Sequence, residues 1–245
     1  MAQPVRFHAT VEHVNRHTDD VVTYRLQSEK RLPAFVPGQF VHLTVDHYDP
    51  TAFWPESRVF SVANAVADRR TVELTISRQG AYTSRILDVL EPGAKVWAKG
   101  PYGDFTIGAV AGVRRAILIA GGTGVTPFCA FMDAALNNGE LPLEEVILHY
   151  GARTSELLIY RSLVDACVAR LPAFHAHFYA ETAPFDDPSI RSGRLDPQAI
   201  VAEHGNAQQT AYYLSGPKAM IDAFRSSLTG NCGVTTERVL VDAWE

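Results

Sequence analysis

The sequence predicts a two-domain fold: an antiparallel six-stranded β-barrel, then an α/β domain on a parallel five-stranded sheet with helices on both faces. Three observations lead there. Up to about residue 108, short stretches rich in valine, threonine and aromatics are cut by turn signals, as in an antiparallel barrel or sandwich. After residue 112 the period changes to strand, glycine-rich turn and helix, repeated, which implies a parallel sheet covered by helices. And 245 residues at 47% hydrophobic supply core for two modest domains. The domains are expected at 1–108 and 109–245, joined across 106–113.

In the first half the expected strands are 6–14, 21–27, 39–45, 59–62, 71–77 and 95–98. One helix interrupts them at 82–90, where Ile86, Leu87 and Leu90 recur at helical spacing before Glu91-Pro92-Gly93 stops it. In the second half strand 116–120 leads to helix 127–136, and strand 146–150 to helix 158–170. Strand 174–180 follows, then a long loop and a helix over 197–203. Strand 211–214, helix 217–228 and strand 238–241 close the series. In such sheets ligands bind at the carboxyl ends of the strands.

Composition excludes several function classes. Residues 1–108 carry 12 Lys and Arg against 12 Asp and Glu, so the whole net charge of -5 falls in the second half, and neither half offers a nucleic-acid surface. Three scattered cysteines (Cys129, Cys167, Cys232) do not make a disulfide framework, a structural zinc site or an iron-sulfur cluster, and no metal site is expected. Apolar runs are short and the amino terminus lacks a signal-peptide pattern, so a cytoplasmic location without membrane insertion is expected.

The stretch AGGTGVTPF, Ala120 to Phe128, follows the apolar run of the first parallel strand. It resembles the dinucleotide turn G-x-G-x-x-G, with Pro127 in place of the third glycine. Thr126 reads as an N-cap and Pro127 as the first helical residue, leaving amide groups turned toward the glycines. Gly122, Thr123 and Gly124 then admit a phosphate or pyrophosphate to the main chain at a helix N-terminus. A tight strand-to-helix turn without a ligand is the alternative.

Three further segments precede it: Arg58-Val59-Phe60-Ser61 at a strand start, Gly80-Ala81-Tyr82-Thr83-Ser84 at the barrel's helix, and Gly100-Pro101-Tyr102-Gly103-Asp104-Phe105 at the barrel's end. In this order, before AGGTGVTPF, they resemble the ferredoxin-NADP reductase superfamily over nearly the whole chain. The resemblance implies an FAD-binding barrel, an NAD(P)H-binding α/β domain and no fused iron-sulfur domain. It implies that Arg58 of the R-x-Y-S motif pairs with flavin phosphate, that Val59 and Phe60 lie along the flavin, with Phe60 in place of the usual tyrosine, and that Ser61 hydrogen-bonds near flavin N5. Thr83, with the amides of Ser84 and Arg85, would receive the flavin pyrophosphate beside Gly80, and Arg78 adds a second charge or stays solvated.

In the second domain the resemblance assigns the nucleotide pyrophosphate to Gly122, Thr123 and Gly124. Ser215-Gly216-Pro217 matches C-G-P, with serine for the cysteine beside the nicotinamide, so Ser215 joins Ser61 as a candidate catalytic residue. Arg153 either touches the nucleotide or pairs with Glu156. Glu181 stands where relatives selecting a 2′-phosphate show Ser-Arg; a carboxylate there accepts from a ribose diol and favours NADH over NADPH, with Arg191 and Arg194 as potential phosphate ligands nearby. Trp244 matches the terminal aromatic that covers the flavin, or else belongs to a frayed end.

The function implied is an FAD-dependent NAD(P)H oxidoreductase passing hydride to flavin N5 and single electrons to a separate acceptor, such as a ferredoxin, a flavodoxin or an oxygenase component. Two rivals stand beside it: an NAD(P)H:flavin reductase with free flavin as substrate, and a non-catalytic flavin-binding electron-transfer subunit.

Overall fold

The computed structural model describes residues 2–108, 110–182, 187–204 and 209–242. By contact the chain divides into two compact units, Met1–Asp104 with Thr126–Phe131, and Phe105–Val125 with Met132–Glu245.

The first unit holds β1 (Val5–Thr18), β2 (Val21–Ser28), β3 (Phe40–Thr44), β4 (Arg58–Ser61), β5 (Thr71–Ser77), α1 (Ala81–Val89) and β6 (Lys95–Tyr102). The strands run antiparallel in the order β4-β3-β6-β1-β2-β5. Just past β4, an isolated bridge from Val62 to Leu74 of β5 brings the two edges together, so the sheet curls into a nearly closed barrel. Alternation along β2 and β5 sends Tyr24, Leu26, Val72, Leu74 and Ile76 inward, each fully buried. Ile86 and Leu87 of α1 join the same core.

The second unit holds β7 (Arg115–Gly121), α2 (Thr126–Asn138, whose first six residues group with the barrel unit), β8 (Glu145–Ala152), α3 (Arg161–Arg170) and β9 (Phe174–Ala180). Then come β10 (Ile190–Ser192), α4 (Pro197–His204), β11 (Thr210–Ser215), α5 (Lys218–Ser226) and β12 (Val239–Asp242). All neighbouring strands are parallel, in the order β10-β9-β8-β7-β11-β12. One face carries Ile117, Ile119 and Ile147, packed with Ile200 of α4 and with Ile221 and Phe224 of α5. The order reverses direction at β7, which places the topological switch point between β7 and β11.

The sheet thus has six strands among the described residues, not the five expected. The extra strand, β10, lies within the predicted loop and spans three residues, too few to print a period in sequence. Its ladder to β9 is what defines it. Helix α3 starts at Arg161 rather than 158, because a separate 3₁₀ turn, Ser155–Leu157, precedes it. No helix among the described residues is long and apolar enough to cross a membrane.

Candidate functional site

In the first unit a cavity of about 410 Å³ opens between the chain entering β4 and the start of α1, lined by Glu56, Arg58, residues 79–83 and Arg85. Gly80 is extended, and a Cβ built on it would meet nothing within 4 Å; what it contributes is the absence of a side chain where the main chain faces the cavity. The Thr83 hydroxyl accepts from the Gln79 amide (2.9 Å) and the Gly80 amide (3.1 Å) and donates to Gly80 O (3.1 Å), fixing the loop. The Ser84 amide donates to Gly80 O at 2.9 Å, inside the helical ladder. The donors of the first turn left outside the ladder are then the amides of Ala81 and Tyr82, whereas the Ser84 amide, a candidate from the sequence, bonds within the helix.

Tyr82 organises the charges. Its buried hydroxyl donates to Glu56 O at 2.7 Å, and its ring lies 4.6 Å from the Arg58 guanidinium and 4.9 Å from that of Arg85. One pinned aromatic thus holds two cations at the cavity. Arg58 Nη2 meets Glu56 Oε1 at 2.8 Å and Arg85 pairs with Asp46, so an anionic ligand would exchange these carboxylates for its own oxygens. The positioning role of Tyr82 escaped the sequence reading; only its place in G-x-x before Thr83 hinted at the site.

The rest of β4 alternates between the two faces of the sheet. In register with β3, Val59 lies opposite His42, Phe60 opposite Val41 and Ser61 opposite Phe40. Phe60 packs partly buried against the barrel core and Ser61 is buried. Arg78 does not line the cavity: it pairs with Asp20 and Asp88 at 3.1 Å each, and the Asp88 bond raises its pKa. It thus ties the last turn of α1 to the turn between β1 and β2.

In the second unit the predicted turn sits at the switch point. Gly122 to Val125 form a 3₁₀ turn that runs directly into α2, with Val125 at the N-cap in a helical conformation. Thr126 is therefore the first helical residue and buried, not the cap, and the coil's amino end moves back to Gly122. Gly122 has φ +55°, a left-handed conformation that glycine adopts without strain. A Cβ on Gly124 would lie 2.4 Å from Ser215 O and 2.5 Å from Gly216 N, so the loops after β7 and β11 meet main chain to main chain only because it is absent.

Gly216 and Pro217 lead from β11 into α5, with Pro217 at its N-cap. Ser215, at the end of β11, is buried and donates from Oγ to Asp242 Oδ2 at 3.2 Å. Asp242 is a partner that sequence spacing does not reveal, because β12 reaches β11 only through the parallel ladder.

Along the same strand ends, Glu181 follows β9, its amide bonded to Ala152 O (3.2 Å) and its carboxylate paired with Arg194 Nε at 2.8 Å. Of the two potential phosphate ligands, Arg194 is thus held on Glu181, and Arg191 is held on Glu203 through both nitrogens at 2.9 Å. Arg153 is exposed and its carbonyl accepts from Thr182; among the described residues it makes no ion pair, so the pairing with Glu156 is not formed. Trp244 lies outside the described residues.

The comparisons follow the same division. Residues 8–107 match the oxidoreductase FAD-binding domain family and residues 118–226 the oxidoreductase NAD-binding domain family, together most of the chain. The chain is 28% identical over 224 residues to the toluate 1,2-dioxygenase electron transfer component of Pseudomonas putida, covering 90% of this chain and 62% of that protein. To ferredoxin--NADP reductase B of Sorangium cellulosum it is 29% identical over 219 residues, 86% of each chain. The first of these is typical: the chain spans about three-fifths or less of several curated relatives it matches.

Among solved structures, the Amycolatopsis cytochrome P450 reductase superposes with a TM-score of 0.79 at 26% identity, over 99% of this chain and 70% of that one. A ferredoxin NADP+ reductase from Neisseria gonorrhoeae with bound FAD and NADP superposes at 0.80, over 97% and 98%; at 18% identity it speaks for the fold. With both family models matched in order and the barrel and parallel sheet lying beneath them, the chain belongs to the ferredoxin-NADP reductase-like flavoproteins, an FAD-binding oxidoreductase domain followed by an NAD-binding one.

Proposed function

We propose that the chain is an FAD-dependent NAD(P)H oxidoreductase that takes hydride from the nicotinamide at flavin N5 and delivers single electrons to a separate acceptor protein of the ferredoxin, flavodoxin or oxygenase-component class. Residues 1–108 carry the flavin and 109–245 the nicotinamide nucleotide. The observation that carries this reading is the double cation at Tyr82: two guanidiniums and a first turn of amides converge on a glycine-opened cavity, within the part matched by the FAD-binding family. That donor set fits the diphosphate of FAD.

Bound FAD supplies the conversion of an electron pair into single electrons. The protein does the rest by holding. Arg58 and Arg85 neutralise phosphate, and Ala81 and Tyr82 offer amides. Ser61 would offer a small hydroxyl to the flavin ring, and Val59 and Phe60 would help to hold it. At the switch point Gly122, Thr123 and Gly124 accept the nucleotide diphosphate, with Thr126 behind them and Gly216 and Pro217 opposite. Ser215, oriented by Asp242, fixes the nicotinamide carboxamide. No acid-base residue is required, since hydride transfer depends on approach geometry.

Mixing the yellow protein with NADH under anaerobic conditions tests this: the flavin absorbance should bleach within the mixing experiment, and persistent colour would reject it. Colour lost on desalting would instead favour the flavin reductase.

Glu181 directs the nucleotide choice toward NADH, its carboxylate receiving a ribose diol while Arg194 steadies it. Glu181→Gln removes the repulsion of a 2′-phosphate and releases Arg194. The ratio of kcat/KM for NADH over NADPH should fall about tenfold, given roughly 1.4 kcal/mol per decade. An unchanged ratio would place the discriminating residue elsewhere.

A further inference from the structure

We propose that His149, His177 and His204 form a binding site for one zinc ion on the face of the second sheet that α4 covers. The three residues come from β8, β9 and the last position of α4, and their ligand atoms all lie within 4.8 Å of one another. His149 and His177 are direct partners across the β8–β9 ladder, so their side chains leave the sheet on the same face. His149 Nε2 and His204 Nε2 face each other at 2.8 Å.

The arrangement has the parts a zinc site needs. Neutral imidazole nitrogen is the ligand form, and His149 is fully buried, where a charged ring is disfavoured. Tetrahedral zinc with Zn–N near 2.0–2.1 Å separates two nitrogens by about 3.3 Å, so the 2.8 Å gap opens by roughly half an ångström to admit the ion. The His149 ring is fixed from behind: Nδ1 lies 2.9 Å from the Tyr179 hydroxyl, the outer contact that orients a ligating histidine. His177 and His204 are partly exposed, which leaves a path from solvent.

The local hydrogen bonds show what the ion replaces. Arg191 Nη1 donates to the Tyr179 hydroxyl at 2.9 Å, that hydroxyl pairs with His149 Nδ1, and one proton lies between the facing Nε2 atoms of His149 and His204. Zinc takes the place of this proton, which moves to the Nδ1 of its own ring. At His177, Arg191 Nη2 lies 3.0 Å from Nδ1 and Glu203 Oε1 lies 3.6 Å from Nε2; ligation through Nε2 puts the proton on Nδ1, and Arg191 gives up that one contact while both its nitrogens stay on Glu203. With Glu203 engaged by Arg191, the set is three imidazoles, and water completes the fourth position.

Titration of the untagged, FAD-loaded chain with zinc against a chromophoric chelator tests the site, with cobalt(II) as a spectroscopic stand-in. One ion per chain is expected, and cobalt should give a four-coordinate visible spectrum without thiolate charge transfer. Loss of an outer-shell partner alone costs about 10–100-fold, so His177→Gln and His204→Gln should each weaken zinc binding by at least about tenfold, whereas Cys232→Ser leaves it unchanged. On the unaltered chain, zinc should also protect His177 and His204 from diethyl pyrocarbonate while the exposed His13 and His47 still react. Binding that is absent, that survives both histidine changes, that depends on Cys232, or that gives no such protection would overturn the assignment.

Discussion

Gly124→Ala should leave the protein yellow while disabling its reaction with NADH. The added methyl would lie 2.4 Å from Ser215 O and 2.5 Å from the Gly216 main chain, and neither obstacle is a flexible side-chain end that could swing aside. The loops after β7 and β11 have to part, which opens the nucleotide cradle where close approach to the main chain is required. Overpacking of this kind costs about 1–3 kcal/mol. For a chain of this size that is a fall of several degrees in Tm. The larger effect is on binding: the KM for NADH should rise by at least about tenfold, one decade per 1.4 kcal/mol. Flavin content should hold, because the flavin cradle belongs to the other family match. A variant with normal Tm and normal KM would show that the close approach carries no function.

Arg58→Ala should have the complementary result. Arg58 is half-exposed and its pair with Glu56 is a surface pair, worth little to stability. Its loss should barely move Tm. A charge-assisted bond to phosphate is worth about 1.5–3 kcal/mol, so flavin affinity should fall by roughly ten- to hundred-fold. Arg58→Lys should recover part of this, since an ammonium keeps the charge but loses the planar fork that matches phosphate oxygens. Equilibrium dialysis of FAD against the three proteins reads the series. Equal affinities would remove Arg58 from the flavin cradle.

Much of this architecture was legible in the sequence because its elements have strong periods. The first half of β5 alternates buried and partly buried residues, and the strand lies at the predicted 71–77. Past Arg115 the β7 strand is apolar and buried because both of its faces are covered, and the glycines after it mark the turn. What stayed hidden depends on contacts made at a distance. β10 is defined by its ladder to β9, and Asp242 by a strand laid beside Ser215.

The exact donors also escaped. Thr126 has the chemistry of a cap, yet the 3₁₀ turn before it is already helical, and the Ser84 amide is taken by Gly80. The three clustered histidines show no ligand spacing at all. They meet because β8 and β9 pair in register and α4 ends above them.

The central claim is that one chain carries two independent anion cradles, one for FAD and one for NAD(P)H. The most direct measurement reads both in the same samples: bound FAD per chain, then the rate of anaerobic flavin bleaching by NADH, for the unaltered protein, Arg58→Ala and Gly124→Ala, each refilled with excess FAD. The account predicts a crossed result. Arg58→Ala loses flavin but bleaches normally once refilled, whereas Gly124→Ala keeps its flavin and bleaches slowly with NADH though promptly with dithionite. If both variants lose the same property, or the unaltered flavin-loaded protein does not bleach with NADH or NADPH, the two-cradle account is contradicted.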